Sequence, residues 1–137
     1  MGIVYTDITL KNQKDVLKAE IGYIGEGEIR QATVEAIVDT GAMSLVINEE
    51  LREQLGLEVV REREVTLANN KKEIVKETGP IEVHWKNRSM YCSSLVASDS
   101  GKTLMGVVPL EMMDLMVDPV RLELVGAHGD EIVHYLL

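Results

Sequence analysis

The chain has 137 residues, a net charge of −9 at pH 7 and 45% hydrophobic residues. This size and composition fit one soluble globular domain spanning residues 1–137. No apolar run reaches the roughly 18 residues that a membrane helix needs, and we expect no signal peptide. The acidic balance and an aromatic content of 4% argue against binding to nucleic acid or to anionic membranes. Because Cys92 is the single cysteine, we expect no intrachain disulfide and a cytoplasmic setting.

The first third of the chain has the pattern of β-strands. IVYTDITL predicts a first strand, and NQKD after it predicts a turn. VLKAEIGYI and EIRQATVEAIV predict two strands that flank GEG at residues 25–27, as in a hairpin with glycine at its bend. SLVI, a few residues further on, predicts a short buried strand.

The rest of the chain adds hairpins and short helices. NEELREQLGL predicts a helix that Asn48 caps and Gly56 ends. NNK at 69–71 and KNR at 86–88 each separate two strand patterns and predict hairpins. PLEMMDL predicts a short helix, VDP a turn, and EIVHYLL a last strand. About eight strands without full helices between them predict an all-β, mainly antiparallel fold with one or two short helices.

The stretch IVDTGAMSLVI places the carboxylate of Asp39 between two apolar runs. Aspartate and glycine are turn residues, so Asp39-Thr40-Gly41 fits an ordinary turn between strands. It also fits a loop that rises out of the core, where Gly41 lets backbone N–H groups approach the carboxylate and the Thr40 hydroxyl pins the loop. These residues alone leave both interpretations open.

Hydrolysis of a peptide bond by aspartates uses two carboxylates that share a proton. A second triplet of the same kind is Asp99-Ser100-Gly101, followed by Lys102. Its small polar neighbours favour an exposed loop. Sixty residues separate Asp39 from Asp99, which is short for a second complete β lobe.

Other candidate sites give weaker signals. Cys92 and His84 are a conceivable thiol nucleophile pair, but a buried structural cysteine is the favoured interpretation. No cysteine, histidine or acidic pattern has zinc-ligand spacing, so we predict no metal site. The methionines Met112, Met113 and Met116 fit core packing beside a short helix.

The order of these motifs resembles that of the retropepsin-like, or retroviral-type, aspartic proteases, in particular the small single-domain prokaryotic members. Two apolar residues precede D-T-G-A in IVDTGAMSLVI, and the next helix ends in LG, as in LREQLGL. The hairpin LANNKKEIVKE resembles the flap, TLMGVVPLEMMDL resembles the apolar-apolar-glycine segment and its helix, and MVDPVRLELV resembles the last turn and strand. The resemblance covers roughly residues 3–125.

The resemblance implies a mainly antiparallel closed β-barrel of the acid-protease type and an aspartic endopeptidase that needs no cofactor. It implies catalytic roles for Asp39, for Thr40, which would brace the same loop of a second subunit, and for Gly41. Leu104, Met105 and Gly106 would cross behind this loop. Relatives of this size work as homodimers, so two Asp39 residues would meet on a two-fold axis around an extended peptide or protein substrate. The residues implied to contact substrate are Ala42, Ala68, Asn69, Asn70 and Gly106.

Three features depart from the family pattern. Asn69 and Asn70 replace glycine at the flap tip, and Lys71 makes the tip more charged, which keeps open a retropepsin-fold dimerisation or peptide-binding module without proteolysis. Residues 126–137 extend past the matched region, where they would form a dimer-interface strand or cover the cleft. Ala42 lacks the hydroxyl that would stabilise the anion, so we expect activity at weakly acidic to neutral pH.

Overall fold

The computed structural model describes residues 2–97 and 101–136, which form a mostly β structure with three short helices. The helices are α1 (Gln13–Glu20), α2 (Glu49–Gln54) and α3 (Val107–Met112). The strands in the first half of the chain are β1 (Val4–Asn12), β2 (Gln31–Val38), β3 (Leu45–Asn48), β4 (Val59–Thr66) and β5 (Lys72–Thr78). Those in the second half are β6 (Ile81–Trp85), β7 (Arg88–Cys92), β8 (Ser94–Ala97), β9 (Thr103–Met105), β10 (Leu115–Asp118) and β11 (Glu123–Gly126).

Nine of these strands form one sheet in the order β4-β5-β8-β3-β9-β2-β1-β6-β7, and β10 pairs with β11 separately. Two neighbouring pairs, β2 with β9 and β3 with β8, are parallel, and the other pairings are antiparallel. The large sheet curls into a half-barrel. The predicted all-β, mainly antiparallel fold with short helices is therefore confirmed.

The core is built from the inward-facing residues of the central strands. Ile8 and Leu10 of β1, Leu45 and Ile47 of β3, and Met105 of β9 are almost completely buried. Their alternation with more exposed neighbours follows from the two-residue period of a strand.

The methionines near α3 divide between core and surface. Met113 is fully buried, whereas Met112 and Met116 are 50% and 48% exposed. The prediction that all three methionines pack in the core is therefore wrong for two of them.

The prediction for residues 12–28 is wrong. NQKD is not a turn but the start of α1, and no hairpin bends at Gly25–Gly27. The side chain of Asn12 accepts the backbone N–H of Asp15 at 3.1 Å and so caps the helix. Strands β1 and β2 pair directly along Val4–Lys11, so α1 lies in the connection between them.

An ion pair fixes the return of the chain from α1 into β2. The carboxylate of Asp15, which is 3% exposed, accepts hydrogen bonds from the Nε, Nη2 and backbone N–H of Arg30 at 2.8, 3.0 and 3.0 Å. The hydrogen bonds from the Arg30 guanidinium hold the pKa of Asp15 below its ordinary value. A buried carboxylate with three hydrogen-bond donors stabilises the helical connection. The periodicity of the flanking strand patterns does not reveal this interaction.

Several other predicted elements are present. Asn48 caps α2 by accepting the N–H of Leu51 at 2.7 Å, and Gly56 follows the helix with φ +63°. Hairpins β4–β5 and β6–β7 stand at the two predicted positions, and α3 begins two residues before Pro109. The strand pattern SMYCSSLVA after KNR forms two strands, β7 and β8, with Ser93 between them.

The predicted last strand does not form in this chain. Among the described residues, the C-terminal segment contains one isolated bridge, His128 to Glu131, and no regular strand over 132–136. The backbone N–H of Val133 is bound by the side chain of Asp114 at 3.0 Å, so it is not free to pair with a strand. None of the helices in the described ranges is long and apolar enough to cross a membrane.

Candidate active site

Asp39 directly follows the last residue of β2 and begins the loop 39–44 that leads into β3. Strands β2 and β3 are not neighbours, because β9 lies between them, parallel to β2 and antiparallel to β3. The loop therefore passes over the end of β9. The backbone N–H of Asp39 donates to the carbonyl oxygen of Met105 at 3.0 Å, which fixes the start of the loop on that strand.

The rest of the loop is hydrogen-bonded to the beginning of α3. Gly106 donates its N–H to Ser44 O at 3.1 Å, Val107 to Ala42 O at 2.9 Å, and Val108 to Met43 O at 2.8 Å. Three consecutive donors at the start of a helix thus satisfy three consecutive carbonyls of the loop. The segment Leu104–Gly106 lies behind the Asp39 loop, where the sequence pattern placed it.

Glycine is required at position 106 by this close approach. A Cβ atom there would lie 2.5 Å from Ser44 O and 2.6 Å from Ala42 O, both backbone atoms. These distances are shorter than any normal carbon–oxygen contact, so any side chain would push the loop away from the end of β9. Gly106 is thus a packing requirement of the loop.

The carboxylate of Asp39 is half-buried and held on one side. Its Oδ1 accepts the backbone N–H of Gly41 at 2.9 Å, and its carbonyl oxygen accepts the N–H of Ala42 at 3.1 Å. Within the described part of the chain, Oδ2 has no hydrogen-bond donor. The side chain is therefore oriented by the loop while one carboxylate oxygen is available to a substrate, a water molecule or a second carboxylate.

Thr40 is exposed, and none of the described residues forms a hydrogen bond with its hydroxyl group. The bracing role implied for Thr40 therefore needs a partner outside this chain. It stays a prediction, as do the catalytic roles of Asp39 and Gly41.

The other implied substrate contacts lie at the tip of hairpin β4–β5. The tip closes with hydrogen bonds from Leu67 N to Lys71 O at 2.8 Å and from Lys71 N to Asn69 Oδ1 at 3.0 Å. Asn70 has φ +66°, a conformation that asparagine tolerates better than other non-glycine residues. Ala68, Asn69 and Asn70 are all exposed, and no hydrogen bond connects these three residues with the Asp39 loop.

Comparison with known proteins bears on this arrangement. Residues 25–84 match a protein-family model described as aspartyl protease, and this segment contains Asp39–Ala42 and hairpin β4–β5. The crystal structure of the retroviral protease-like domain of Ddi1 from Leishmania major is similar, with a TM-score of 0.54 and 17% identity over 88% of this chain and 84% of that one. The fold is retropepsin-like. A retropepsin-like aspartic protease from Rickettsia conorii overlaps with a TM-score of 0.47 and 15% identity, over 86% of this chain and 89% of that one. No curated protein gives a significant sequence match.

The structure does not favour Cys92 and His84 as a thiol nucleophile pair. Burial raises the pKa of the Cys92 thiol to about 11, so the thiolate is scarce at neutral pH. His84 is engaged elsewhere, since its Nε2 lies 2.5 Å from Oε1 of Glu82. Asp99 and Ser100, the alternative second carboxylate and its neighbour, lie outside the described residues.

Sequence reasoning missed two residues that support α3, the helix whose first turn binds the Asp39 loop. Arg88 is 3% exposed although it ends the predicted turn KNR. Asp114 has φ +55° directly after the last turn of α3. No local pattern marks either residue, because their partners lie between 13 and 41 residues away in the chain.

Proposed function

We propose that this retropepsin-like protein is an aspartic endopeptidase that works as a homodimer with two Asp39 residues in one site. The observation that carries the proposal is the geometry of Asp39, whose carboxylate is oriented by Gly41 N–H on a loop bound to Met105 and α3. An ordinary turn would not need five backbone hydrogen bonds of the loop, and a further one from Gly41 N–H to the side chain, to hold one half-buried carboxylate. The match of residues 25–84 to aspartyl proteases supports the same conclusion.

The requirement for two acids leads to the homodimer. Asp39 is the single carboxylate on its loop, and aspartate-catalysed hydrolysis needs one ionised and one protonated carboxyl group. A two-fold axis beside the loop would bring the free Oδ2 atoms of two Asp39 residues together. In this arrangement the exposed Thr40 hydroxyl would find its hydrogen-bond partner in the second subunit.

The reaction then follows from the shared proton. The ionised carboxylate takes a proton from a water molecule, whose oxygen attacks the peptide carbonyl carbon while the other Asp39 protonates the carbonyl oxygen. The tetrahedral intermediate collapses when the C–N bond breaks. The first Asp39 delivers its proton to the leaving nitrogen, and the other Asp39 takes back a proton from one hydroxyl group of the intermediate as the new C=O bond forms. The carboxyl group of the new acid and the free amine are the products, and the pair returns to one proton.

Hairpin β4–β5 is proposed as a flap that covers an extended peptide. Its tip residues Ala68, Asn69 and Asn70 would contact the substrate backbone, with Ala42 and Gly106 lining the floor. We also propose a cytoplasmic location, because a chain with a single cysteine forms no disulfide of its own and suits a reducing compartment.

A second candidate is a peptide-binding or dimerisation module without proteolysis. The observation in its favour is the polar, exposed tip Asn69–Lys71, which offers hydrogen bonds rather than an apolar cover. The intact Asp39 loop argues against it, since a binding module has no use for an oriented carboxylate with a free oxygen.

One paired experiment tests the proposal. Sedimentation gives the oligomeric state of the wild type, and a peptide library is digested by the wild type and by Asp39→Asn. We expect a dimer, cleavage by the wild type and no cleavage by the variant, which keeps an oxygen to accept Gly41 N–H. A strict monomer without activity contradicts the enzyme, and cleavage that survives in Asp39→Asn contradicts the site.

A further inference from the structure

Helix α3 connects the candidate active site to the C-terminal segment. Its first residues, Val107 and Val108, donate their N–H groups to the carbonyls of Ala42 and Met43 in the Asp39 loop. Its other end is Met113 and Asp114, less than two helical turns away. A helix this short moves as one unit, so whatever fixes its C-terminal end also fixes the donors at its first turn.

Arg88 binds that C-terminal end. Its Nη1 donates to Met113 O and to Asp114 O, both at 2.8 Å, and its Nη2 donates to Gly129 O. The side chain is buried, and its planar fork satisfies carbonyls that a helix end leaves without partners. The same guanidinium therefore joins α3 to the segment after β11.

Asp114 binds this segment as well. Its carbonyl oxygen accepts Ala127 N at 2.8 Å, and its Oδ2 accepts His128 Nδ1 at 2.7 Å and Val133 N at 3.0 Å. Residues 127–133, here called the strap, are thus held at four points, three of them by Asp114 after the end of α3 and one by Arg88 of β7. Glycine is needed at position 126, because a Cβ atom there would overlap both Gly129 O and the Arg88 guanidinium.

We propose that the strap is a positioning element for the Asp39 loop, with Asp114 and Arg88 as the positioning residues through which it acts. The strap fixes the end of α3, and α3 holds Ala42 and Met43 at the distance that aims the Asp39 carboxylate. The consequence for catalysis rests on the proposed function, whereas the mechanical link does not. The strap thereby supports the site of its own chain. This role does not require the strap to form a strand at a dimer interface.

The test uses Asp114→Gly in the full-length protein. Glycine accepts φ +55° without strain, so this variant removes the carboxylate and leaves the backbone conformation. The matched control is Asp118→Gly, which removes a carboxylate that accepts Val120 N at 2.9 Å and Arg121 N at 3.1 Å at the turn between β10 and β11. Asp118 forms no hydrogen bond with the strap.

The first readout is amide hydrogen exchange at Val107 and Val108, which report directly on the bond between α3 and the loop. We expect exchange at both amides to become about tenfold faster in Asp114→Gly and to stay within about twofold of wild type in Asp118→Gly. Faster exchange in the strap with unchanged Val107 and Val108 overturns the proposal, because the strap would then be only a local contact. Unchanged exchange everywhere overturns it too.

The second readout separates positioning from general destabilisation. Per folded protein, we expect kcat of Asp114→Gly to fall about tenfold with KM within about twofold of wild type. A uniform rise in exchange across all elements with unchanged kcat per folded protein overturns the proposal. If the wild type cleaves no peptide, the proposed function fails, and exchange at Val107 and Val108 still decides on the strap. If Asp114→Gly does not fold, His128→Phe removes one of the two side-chain bonds, and the same amides are measured.

Discussion

The backbone N–H of Asp39 donates a 3.0 Å hydrogen bond to the carbonyl oxygen of Met105. This bond closes the parallel pairing of β2 with β9 beside the last pair, Val38 with Met105, and it decides where the chain leaves the sheet. The carboxylate therefore stands at the end of a central strand and not on a mobile turn. A catalytic group on such a rigid support keeps its geometry without help from a bound ligand.

We expect Gly106→Ala to destabilise the protein by about 2 kcal/mol or more, since the added Cβ would meet backbone atoms that cannot rotate away. Peptide cleavage should fall more than stability alone explains, because the displaced atoms belong to the Asp39 loop. Urea denaturation and cleavage assays on the folded variant measure the two effects. Gly27→Ala is the control, since a Cβ there meets no atom within 4 Å. Equal stability of the two variants would contradict the packing role of Gly106.

A subunit-mixing experiment tests the shared site. When wild type and Asp39→Asn are mixed in equal amounts and allowed to exchange subunits, about one quarter of the dimers keep two aspartates. Activity per total protein should then fall to about one quarter of that of wild type, since loss of one acid–base partner lowers the rate about 10²–10⁴-fold. A value of about one half means that each subunit works with its own carboxylate, which contradicts the two-fold site.

The ion pair of Asp15 with Arg30 makes a pH-dependent contribution to stability. Because the pKa of Asp15 is lowered in the folded protein, this contribution is complete above the unfolded pKa and is lost as the pH falls through the folded pKa. We expect Asp15→Asn to lower the free energy of unfolding by about 1–3 kcal/mol at pH 7. Urea denaturation at pH 7 and near pH 3 measures the difference, which should shrink at the lower pH. A difference that grows on acidification contradicts the assignment.

Glu77 locks the base of hairpin β4–β5. Its buried carboxylate lies 3.1 Å from Arg61 Nε and 3.2 Å from Arg63 Nη1, so it pairs with two arginines of the neighbouring strand. We expect Glu77→Ala to lower the free energy of unfolding by about 1–3 kcal/mol and to speed amide exchange in β4. The matched control is Glu64→Ala, whose exposed pair with Lys72 at 3.6 Å should be worth under about 1 kcal/mol. Similar losses of unfolding free energy in both variants would contradict the expectation that the buried Glu77 stabilises the hairpin more than the exposed Glu64 does.

Local patterns predicted much of the fold. Hairpins β4–β5 and β6–β7 follow from short polar turns between strand patterns, and α2 follows from Asn48 at its start and Gly56 after its end. The error at residues 12–28 has a physical cause, since α1 depends on the distant Arg30, which neutralises Asp15 and closes the connection. Side-chain pairs of this kind leave no periodicity for a sequence pattern to reveal.

The sequence by itself determined the all-β class and the place of Asp39-Thr40-Gly41 after an apolar strand. These depend on residue type and short spacing, which act locally. Only the tertiary structure decided that β9 lies between β2 and β3, that Gly106 packs against Ala42 and Ser44, and that Arg88 and Asp114 hold the strap. Those contacts join residues far apart in the chain, and their geometry is set by the curl of the sheet.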